Sequence, residues 1–133
     1  ILISSGPTRS KVELLNSTRM LIEKGFTIYS TEGTAKFFEE NNIDVNILYW
    51  PDEDKEPNIM EYLHDRKIDL VINIPKNHTK RELDNGYKIR RAAVDYNIPL
   101  ITNARLASAF IYAICKVNPD EIAIKSWDEY GES

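Results

Sequence analysis

The sequence predicts an α/β domain in which a parallel five-stranded sheet is covered by helices on both faces. Five short apolar runs are separated by segments whose apolar residues follow helical spacing. The runs show little polar alternation, so their strands should be buried on both faces, as is typical of parallel sheets. A chain of 133 residues, with 42% hydrophobic and 29% charged residues, fits one globular domain.

The first half of the chain alternates three strands with two helices. Ser10 offers a helix N-cap oxygen, and Gly25 stands where a helix commonly ends. The expected elements are a strand over Ile1–Ser4, a helix from Ser10 to Lys24, a strand over Phe26–Tyr29, a turn and cap over Thr31–Thr34 followed by a short helix to about Asn41, and a strand over Val45–Tyr49.

The second half continues the alternation. The expected elements are a helix from Ile59 to near Lys67, a strand over Leu70–Ile74, a polar loop over Pro75–Asn85, a helix over Tyr87–Tyr96, a strand over Pro99–Thr102 and a helix over Ala104–Val117. We therefore expect a domain over residues 1–117 and a tail over 118–133, partly packed or flexible. Because the chain begins at Ile1 inside an apolar run, we expect it to be a piece of a longer polypeptide.

Composition argues against several classes of function. The formal net charge of −4 disfavours a general nucleic-acid binder. The apolar runs are too short to span a membrane. The single Cys115 and two histidines make a poor zinc site, so we expect no metal centre.

One segment of this acidic chain is basic. From Lys76 to Arg91 six basic residues stand against two acidic ones, an excess of four positive charges. Such a local excess can attract an anion, although charge runs often lie on a solvated helix face. We expect the segment Lys76–Asn85, with Arg90 and Arg91, to order around a ligand.

Polar side chains follow the predicted strands, where parallel α/β sheets bind ligands. Ser4, Thr31 and Thr34 offer hydroxyls, and Asn73 offers an amide at the end of the most apolar strand. Gly33 would let the backbone approach a ligand closely, next to the free amides of a helix N-terminus. These groups predict a site for a phosphate or a carboxylate.

Each of these residues also has a purely structural interpretation. The threonines could cap a helix, Lys11 could be a surface lysine and Trp50 could be core packing instead of a pocket wall. Glu32 is the only carboxylate within a strand-end cluster, and neither a nucleotide-binding glycine motif nor a catalytic triad is readable. The residues therefore predict an anion-binding domain with no catalytic residue.

Several segments together resemble a known family over nearly the whole chain, up to about Lys116. They are Ile1–Ser4, Gly25–Phe26, Ser30–Thr34, Ile68–Asn73, Lys88–Asp95 and Ile98–Asn103, in this order and spacing. They resemble the methylglyoxal-synthase-like (MGS-like) domain, in the form found at the C-terminus of the carbamoyl-phosphate synthase large subunit.

The resemblance implies a three-layer, Rossmann-like domain with a five-stranded parallel sheet that binds a small anionic effector. In the family the effectors are UMP and IMP in bacterial members, and N-acetyl-L-glutamate in the mitochondrial urea-cycle member. The parent ligase uses ATP with Mg or Mn, bicarbonate and glutamine-derived ammonia to supply pyrimidine and arginine synthesis. Its expected partners are the synthetase domains of the same chain and a glutaminase small subunit, in the cytoplasm. The domain itself would need no cofactor.

The resemblance also assigns site residues by position. Lys11, Thr31 and Thr34 match groups that hold the effector's phosphate or carboxylate, and Ser4 matches a phosphate-pocket hydroxyl. Asn73 matches an effector-reading amide in both forms, and Asn85 matches an amide of the acetylglutamate-binding form. Trp50 before a proline also follows that form, whereas Lys76 replaces an asparagine there and could favour a phosphate.

The chain departs from methylglyoxal synthase at that enzyme's catalytic segments. The matching stretch, Pro51–Pro57, lacks the Gly-Gly-Asp segment, and Ile74–Pro75 stands where Asp-Pro should end the fourth strand. Without a positioned base the fold could bind a ligand but not run an elimination. A free-standing lyase of the methylglyoxal-synthase type and an interface domain with a degenerate pocket stay open as alternatives.

Overall fold

Five parallel strands form one sheet, with helices packed on both of its faces. The computed structural model of the protein describes residues 1–6, 8–75 and 79–116. The strands are β1 (Leu2–Ser5), β2 (Tyr29–Ser30), β3 (Asn46–Ile47), β4 (Val71–Ile74) and β5 (Leu100–Ile101). The helices are α1 (Thr8–Glu23), α2 (Glu32–Glu40), α3 (Ile59–His64), α4 (Lys80–Asp95) and α5 (Ala104–Lys116).

The strands lie in the order β3-β2-β1-β4-β5, with every pairing parallel. The central pair, β1 and β4, is in register from Leu2 opposite Val71 to Ser5 opposite Ile74. β2 and β3 lie on one side of β1. The chain then crosses over, so that β4 and β5 lie on the other side. The direction of winding therefore switches between β1 and β4, where a crevice forms at the carboxyl ends of the strands.

Two cores cover the two faces of the sheet, and the alternation of strand residues separates them. Ile3 and Ile72 face one core, which Leu14 of α1, Phe38 of α2 and Ile111 of α5 complete. Leu2 and Val71 face the other core, which is completed by Ile59 and Leu63 of α3 and by Ile89 and Ala93 of α4. This arrangement confirms the predicted three-layer α/β fold with a five-stranded parallel sheet.

The predicted order of strands and helices is confirmed, but the boundaries around α4 were wrong. The polar loop expected over Pro75–Asn85 is helical from Lys80 onward, seven residues before the predicted start at Tyr87. The Thr79 hydroxyl accepts a hydrogen bond from the Glu82 amide at 3.1 Å, and this N-cap starts the helix early. The apolar pattern did not reveal the first turns because Leu83, their one apolar residue, is 43% exposed.

Smaller shifts affect other ends, and α3 stops at His64 instead of near Lys67. α5 is described to Lys116, so the predicted tail over 118–133 lies outside the described residues. None of the helices within the described ranges is both long and apolar enough to cross a bilayer.

Candidate functional site

A cavity of about 480 Å³ lies at the carboxyl ends of β1, β2 and β4, beside the point where the winding of the sheet switches. Six of the eight predicted site residues line it. They are Ser4, Lys11, Thr31, Thr34, Trp50 and Asn73. These residues are far apart in the sequence, and the parallel sheet brings them to one rim.

Hydroxyl groups form a connected cluster on the β1–β2 side of the cavity. Thr34 is only 2% exposed, and its Oγ1 accepts from the Ser5 amide at 3.1 Å and donates to the Ser5 carbonyl at 3.2 Å. Oγ1 of Thr31 lies 3.3 Å from both Ser4 Oγ and Thr34 Oγ1. The Thr34 contacts fix helix α2 against the end of β1, which holds the hydroxyls of Thr31 and Ser4 at the cavity wall.

Thr31 stands at the N-cap position of α2 without acting as a side-chain cap. Its backbone is extended, with φ −67° and ψ 160°, and its hydroxyl makes no capping hydrogen bond to the helix. The first amides of a helix have no partner within the helix, and those of α2 begin beside the cavity. Gly33 lies in this first turn, with no atom within 4 Å of the place a Cβ would occupy. The capping interpretation of Thr31 is therefore not supported, and the helix start stays open on the cavity side.

Asn73 is held at the end of β4 by an arginine from α4. Its side chain is 3% exposed, and its Oδ1 accepts from Nη1 of Arg90 at 2.7 Å. A guanidinium has only donors, so the atom facing Arg90 must be the amide oxygen. Nδ2 of Asn73, which has no hydrogen-bond partner among the described residues, is left on the side of the cavity that Asn73 lines.

Gly86 makes room for that contact. It lies one turn before Arg90 in α4, and a Cβ built on it would come within 3.0 Å of Arg90 Nη1. Such a contact is tighter than most, so a side chain at Gly86 would require the guanidinium to move by a few tenths of an ångström.

Trp50 lines the cavity, and the guanidinium of Arg81 lies over its ring. The guanidinium of Arg81 also binds Asp52, with Nε 2.7 Å from Oδ2 and Nη2 3.1 Å from Oδ1. Hydrogen bonds from Arg81 and then from Asn85 hold the pKa of Asp52 below its ordinary value. The same contact raises the pKa of Arg81. Asn58 fixes the loop beneath by donating to the Trp50 carbonyl at 2.9 Å.

The cavity wall carries charges of both signs. The described lining includes four cationic side chains, Lys11, Lys36, Arg81 and Arg90, and three carboxylates, Glu32, Glu53 and Glu82. Glu53 lies 3.8 Å from Arg81 and 3.9 Å from Lys55, so its charge is compensated locally. Across residues 1–6, 8–75 and 79–116, no three His, Cys, Asp or Glu side chains come together where they could hold a metal ion.

Asn85, another predicted site residue, is not among the described residues that line this cavity. Asn85 is 2% exposed in α4, where its Oδ1 accepts from the Asp52 amide at 3.2 Å and its Nδ2 donates to the Arg81 carbonyl. It borders a neighbouring pocket of about 340 Å³ with Lys80 and Lys88. Its predicted ligand contact stays a prediction, and Lys76 lies outside the described residues.

Sequence reasoning missed several cavity residues, most of which are on α4. Glu82, Gly86 and the pairing of Arg90 with Asn73 were not anticipated, nor were Lys36 and Glu53. Thr79 and Glu82 form the Thr-x-x-Glu pattern of a capping box. This pattern is the sequence signal that could have predicted the earlier start of α4. Of the arginines expected near the ligand, Arg90 lines the cavity, whereas Arg91 pairs with Asp95 at 3.3 Å.

Fold and site together define a parallel α/β domain with a polar pocket at its topological switch point. A family model, the MGS-like domain, matches residues 13–102. This match covers most of the chain, and the chain belongs to the MGS-like domain family.

Curated relatives extend this assignment. The chain is 40% identical over 121 residues to the carbamoyl phosphate synthase large chain, C-terminal section, of Methanocaldococcus jannaschii, covering 91% of this chain and 19% of that protein. It is 39% identical over 116 residues to the multifunctional protein pyr1-3 of Dictyostelium discoideum, covering 84% of this chain and 5% of the relative. The chain thus spans only a small part of the curated relatives it matches.

A solved structure supports the fold. The crystal structure of methylglyoxal synthase from Elizabethkingia anophelis NUHP1 matches with a TM-score of 0.58 and 16% identity, covering 83% of this chain and 75% of that one. At this identity the likeness concerns the fold alone.

Proposed function

We propose that this chain is the allosteric domain of a carbamoyl-phosphate synthase large chain and that its cavity binds a small anionic effector. The observation that carries the proposal is that Lys11, Thr31, Thr34 and Asn73 share one cavity at the switch point of the sheet. The effector would be of the UMP and IMP type or of the N-acetylglutamate type.

The chemistry of the wall suits an anion with oxygen acceptors. The hydroxyls of Ser4 and Thr31 and the first amides of α2 are donors on one side of the cavity, and Nδ2 of Asn73 is a further donor at the end of β4. Lys11 adds a positive charge from α1, and the four cationic side chains of the lining outnumber its three carboxylates. Donors arranged in advance around a cavity favour a phosphate or carboxylate, because binding then requires little reorganisation.

The arrangement of carboxylates favours binding over chemistry. The segment that corresponds to the catalytic loop of methylglyoxal synthase contains Asp52, which is turned to Arg81 and is not part of the cavity wall. Glu53, which does line the cavity, lies among the cations of Arg81 and Lys55. We therefore propose a binding domain, with a lyase as the alternative that an assay must exclude.

Regulation would act through the rest of the polypeptide. Relatives of this chain are far longer, and two of them carry synthase large-chain names. An effector that binds one arrangement of this domain against the synthetase domains more tightly would shift their activity by the coupling energy, about 1–3 kcal/mol in typical cases. The regulated reaction would be cytoplasmic synthesis of carbamoyl phosphate from ATP, bicarbonate and ammonia delivered by a glutaminase small subunit.

Titration of the chain with UMP, IMP and N-acetylglutamate tests the proposal. Trp127→Phe leaves Trp50 as the sole tryptophan, so its fluorescence reports on the cavity wall, and calorimetry gives an independent affinity. We expect saturable binding of at least one compound. Lys11→Met should weaken it by at least about tenfold, because a lost charge-assisted contact costs about 1.5–3 kcal/mol. Lys24→Met, an exposed lysine just beyond α1, should leave it unchanged.

Two outcomes would overturn the proposal. The first is the absence of saturable binding of all three compounds by a folded chain. The second is turnover of dihydroxyacetone phosphate with release of inorganic phosphate, which would assign the cavity to a lyase instead.

A further inference from the structure

We propose that Arg90 sets the ligand specificity of the cavity by fixing the orientation of the Asn73 amide, so that the ligand must present an acceptor oxygen there. The inference rests on the proposed effector-binding function and specifies the chemistry of the ligand. Arg90 is a positioning residue in this proposal, and Asn73 is the residue that contacts the ligand.

An asparagine amide at the bottom of a cavity could present either end to a ligand. A free amide turns about its terminal torsion, and its oxygen and nitrogen occupy nearly equivalent positions. Here the 2.7 Å contact to Arg90 Nη1 removes the choice, because two donors facing each other would be repelled. Asn73 must therefore offer Nδ2 as a donor to the cavity.

The geometry of α4 supports this interpretation. Gly86 leaves the space through which the guanidinium of Arg90 reaches Asn73, and a Cβ there would lie 3.0 Å from Nη1. Glycine is a poor residue in a helix interior, where alanine is better by about 0.5–1 kcal/mol. Gly86 therefore lowers the stability of the helix but leaves room for the contact between Arg90 and Asn73.

The consequence for the ligand is a keto or carboxylate oxygen opposite Asn73, and not an amino group. When the phosphate of a nucleoside monophosphate binds the hydroxyls of Ser4 and Thr31, Asn73 is left for the base. Its donor then distinguishes bases with a keto group, as in UMP and IMP, from bases with an amino group, as in CMP and AMP. Within each pair the charge and sugar are identical, so the ratio of the two affinities isolates the amide orientation. N-acetylglutamate presents carbonyl and carboxylate oxygens and fits the same requirement.

Spectroscopy of the Asn73 side chain tests the inference for either type of effector. The ¹⁵N-labelled chain is titrated with UMP, IMP and N-acetylglutamate, and the Asn73 amide signals are assigned by their loss in Asn73→Asp. We expect these proton signals to move downfield on binding, since Nδ2 donates to the ligand. If a nucleotide binds, the keto compound should bind at least about tenfold more tightly than its amino counterpart.

Variants separate positioning from folding. Arg90→Met should bring the keto-to-amino ratio to within about threefold of unity and remove most of the downfield shift, whereas Arg91→Met should change neither.

The failures of the two proposals are distinguishable. If no compound binds to the unmodified chain, the proposed function fails and the inference fails with it. If a compound binds but the Asn73 signals do not move, or if Arg90→Met and Arg91→Met behave alike, the inference is overturned while the effector site stands.

Discussion

The guanidinium carbon of Arg81 lies 4.9 Å from the centroid of the Trp50 ring. The same guanidinium binds both carboxylate oxygens of Asp52. Arg81, near the start of α4, thereby holds in place both Trp50 in the cavity wall and the loop that follows Trp50.

The Arg81–Asp52 contact should be lost in acid. The pKa of Asp52 is lowered in the fold, chiefly by its hydrogen bond to Arg81, so its contribution to stability is present above the unfolded value of about 3.9 and is lost as the pH falls through the lower folded value. In Trp127→Phe, we expect Trp50 emission to stay constant from pH 7 to about pH 5 and to change below about pH 4. Asp52→Asn should show the changed emission already at pH 7.

Asp54→Asn is the matched control for that experiment, because Asp54 is an exposed carboxylate in the same loop. Its emission should follow that of Trp127→Phe throughout. An Asp52→Asn variant with unaltered Trp50 emission would show that Arg81 does not depend on Asp52 for its position.

Thr34→Val should weaken both the fold and the ligand site. The substitution keeps the size of the side chain but removes the Oγ1 that bonds the Ser5 amide and carbonyl in a buried place. We expect a loss of about 2 kcal/mol in the free energy of unfolding, measured in urea, and a roughly tenfold weaker effector affinity. Thr34→Ser keeps the hydroxyl and should lose only about 1 kcal/mol, the value of one buried methyl group. Equal losses in the two variants would contradict the role given to the hydroxyl.

Thr31→Val should cost less stability than the loss of a helix cap. The Thr31 hydroxyl contacts only other hydroxyls, at 3.3 Å, and makes no capping bond. Removal of a true cap costs about 1 kcal/mol, so we expect clearly less than that together with a large loss of effector binding. Urea unfolding measures the stability and calorimetry measures the binding, both on the same sample. A stability loss of about 1 kcal/mol would show that Thr31 caps α2.

Asn58→Ala should destabilise the chain more than Thr79→Ala does. Both residues cap a helix, but Asn58 also donates to the carbonyls of Trp50 at 2.9 Å and Glu53 at 3.1 Å. We expect losses of about 2–3 kcal/mol for Asn58→Ala and about 1 kcal/mol for Thr79→Ala. Asn58→Asp keeps the cap without the donors and should fall between them. The urea unfolding midpoints of these three variants measure the order of their stabilities.

Much of this fold could be predicted because its signals are local and strong. The runs that became β1 and β4 are apolar on both faces, and Gly25, at φ 91°, ends the turn after α1 as expected. The strand-end groups Thr31, Thr34 and Asn73 were predicted to meet because parallel strands place their carboxyl ends on one edge.

What the sequence could not reveal depends on contacts between distant residues. Arg90 contacts Asn73 because α4 crosses the end of β4, and no sequence pattern within α4 predicts this contact. Asn85 was predicted from resemblance alone, and the fold turns its amide to Asp52 and Arg81 instead of to the main cavity. The apolar pattern did not predict the early start of α4, because the first turns of this helix contain one apolar residue, Leu83, which is exposed.

The walls of the cavity come from the ends of β1 and β4, from α1, α2 and α4 and from the loop after β3, with Ser4 and Arg90 at the two ends of the sequence span they cover. No peptide excised from the domain could reproduce such a receptor, since each wall needs the whole sheet to be assembled. Any compound that occupies it stabilises only the complete native state, so heat denaturation should shift upward with its concentration. A thermal-shift screen of the domain against cellular metabolites is therefore a direct route to the physiological occupant.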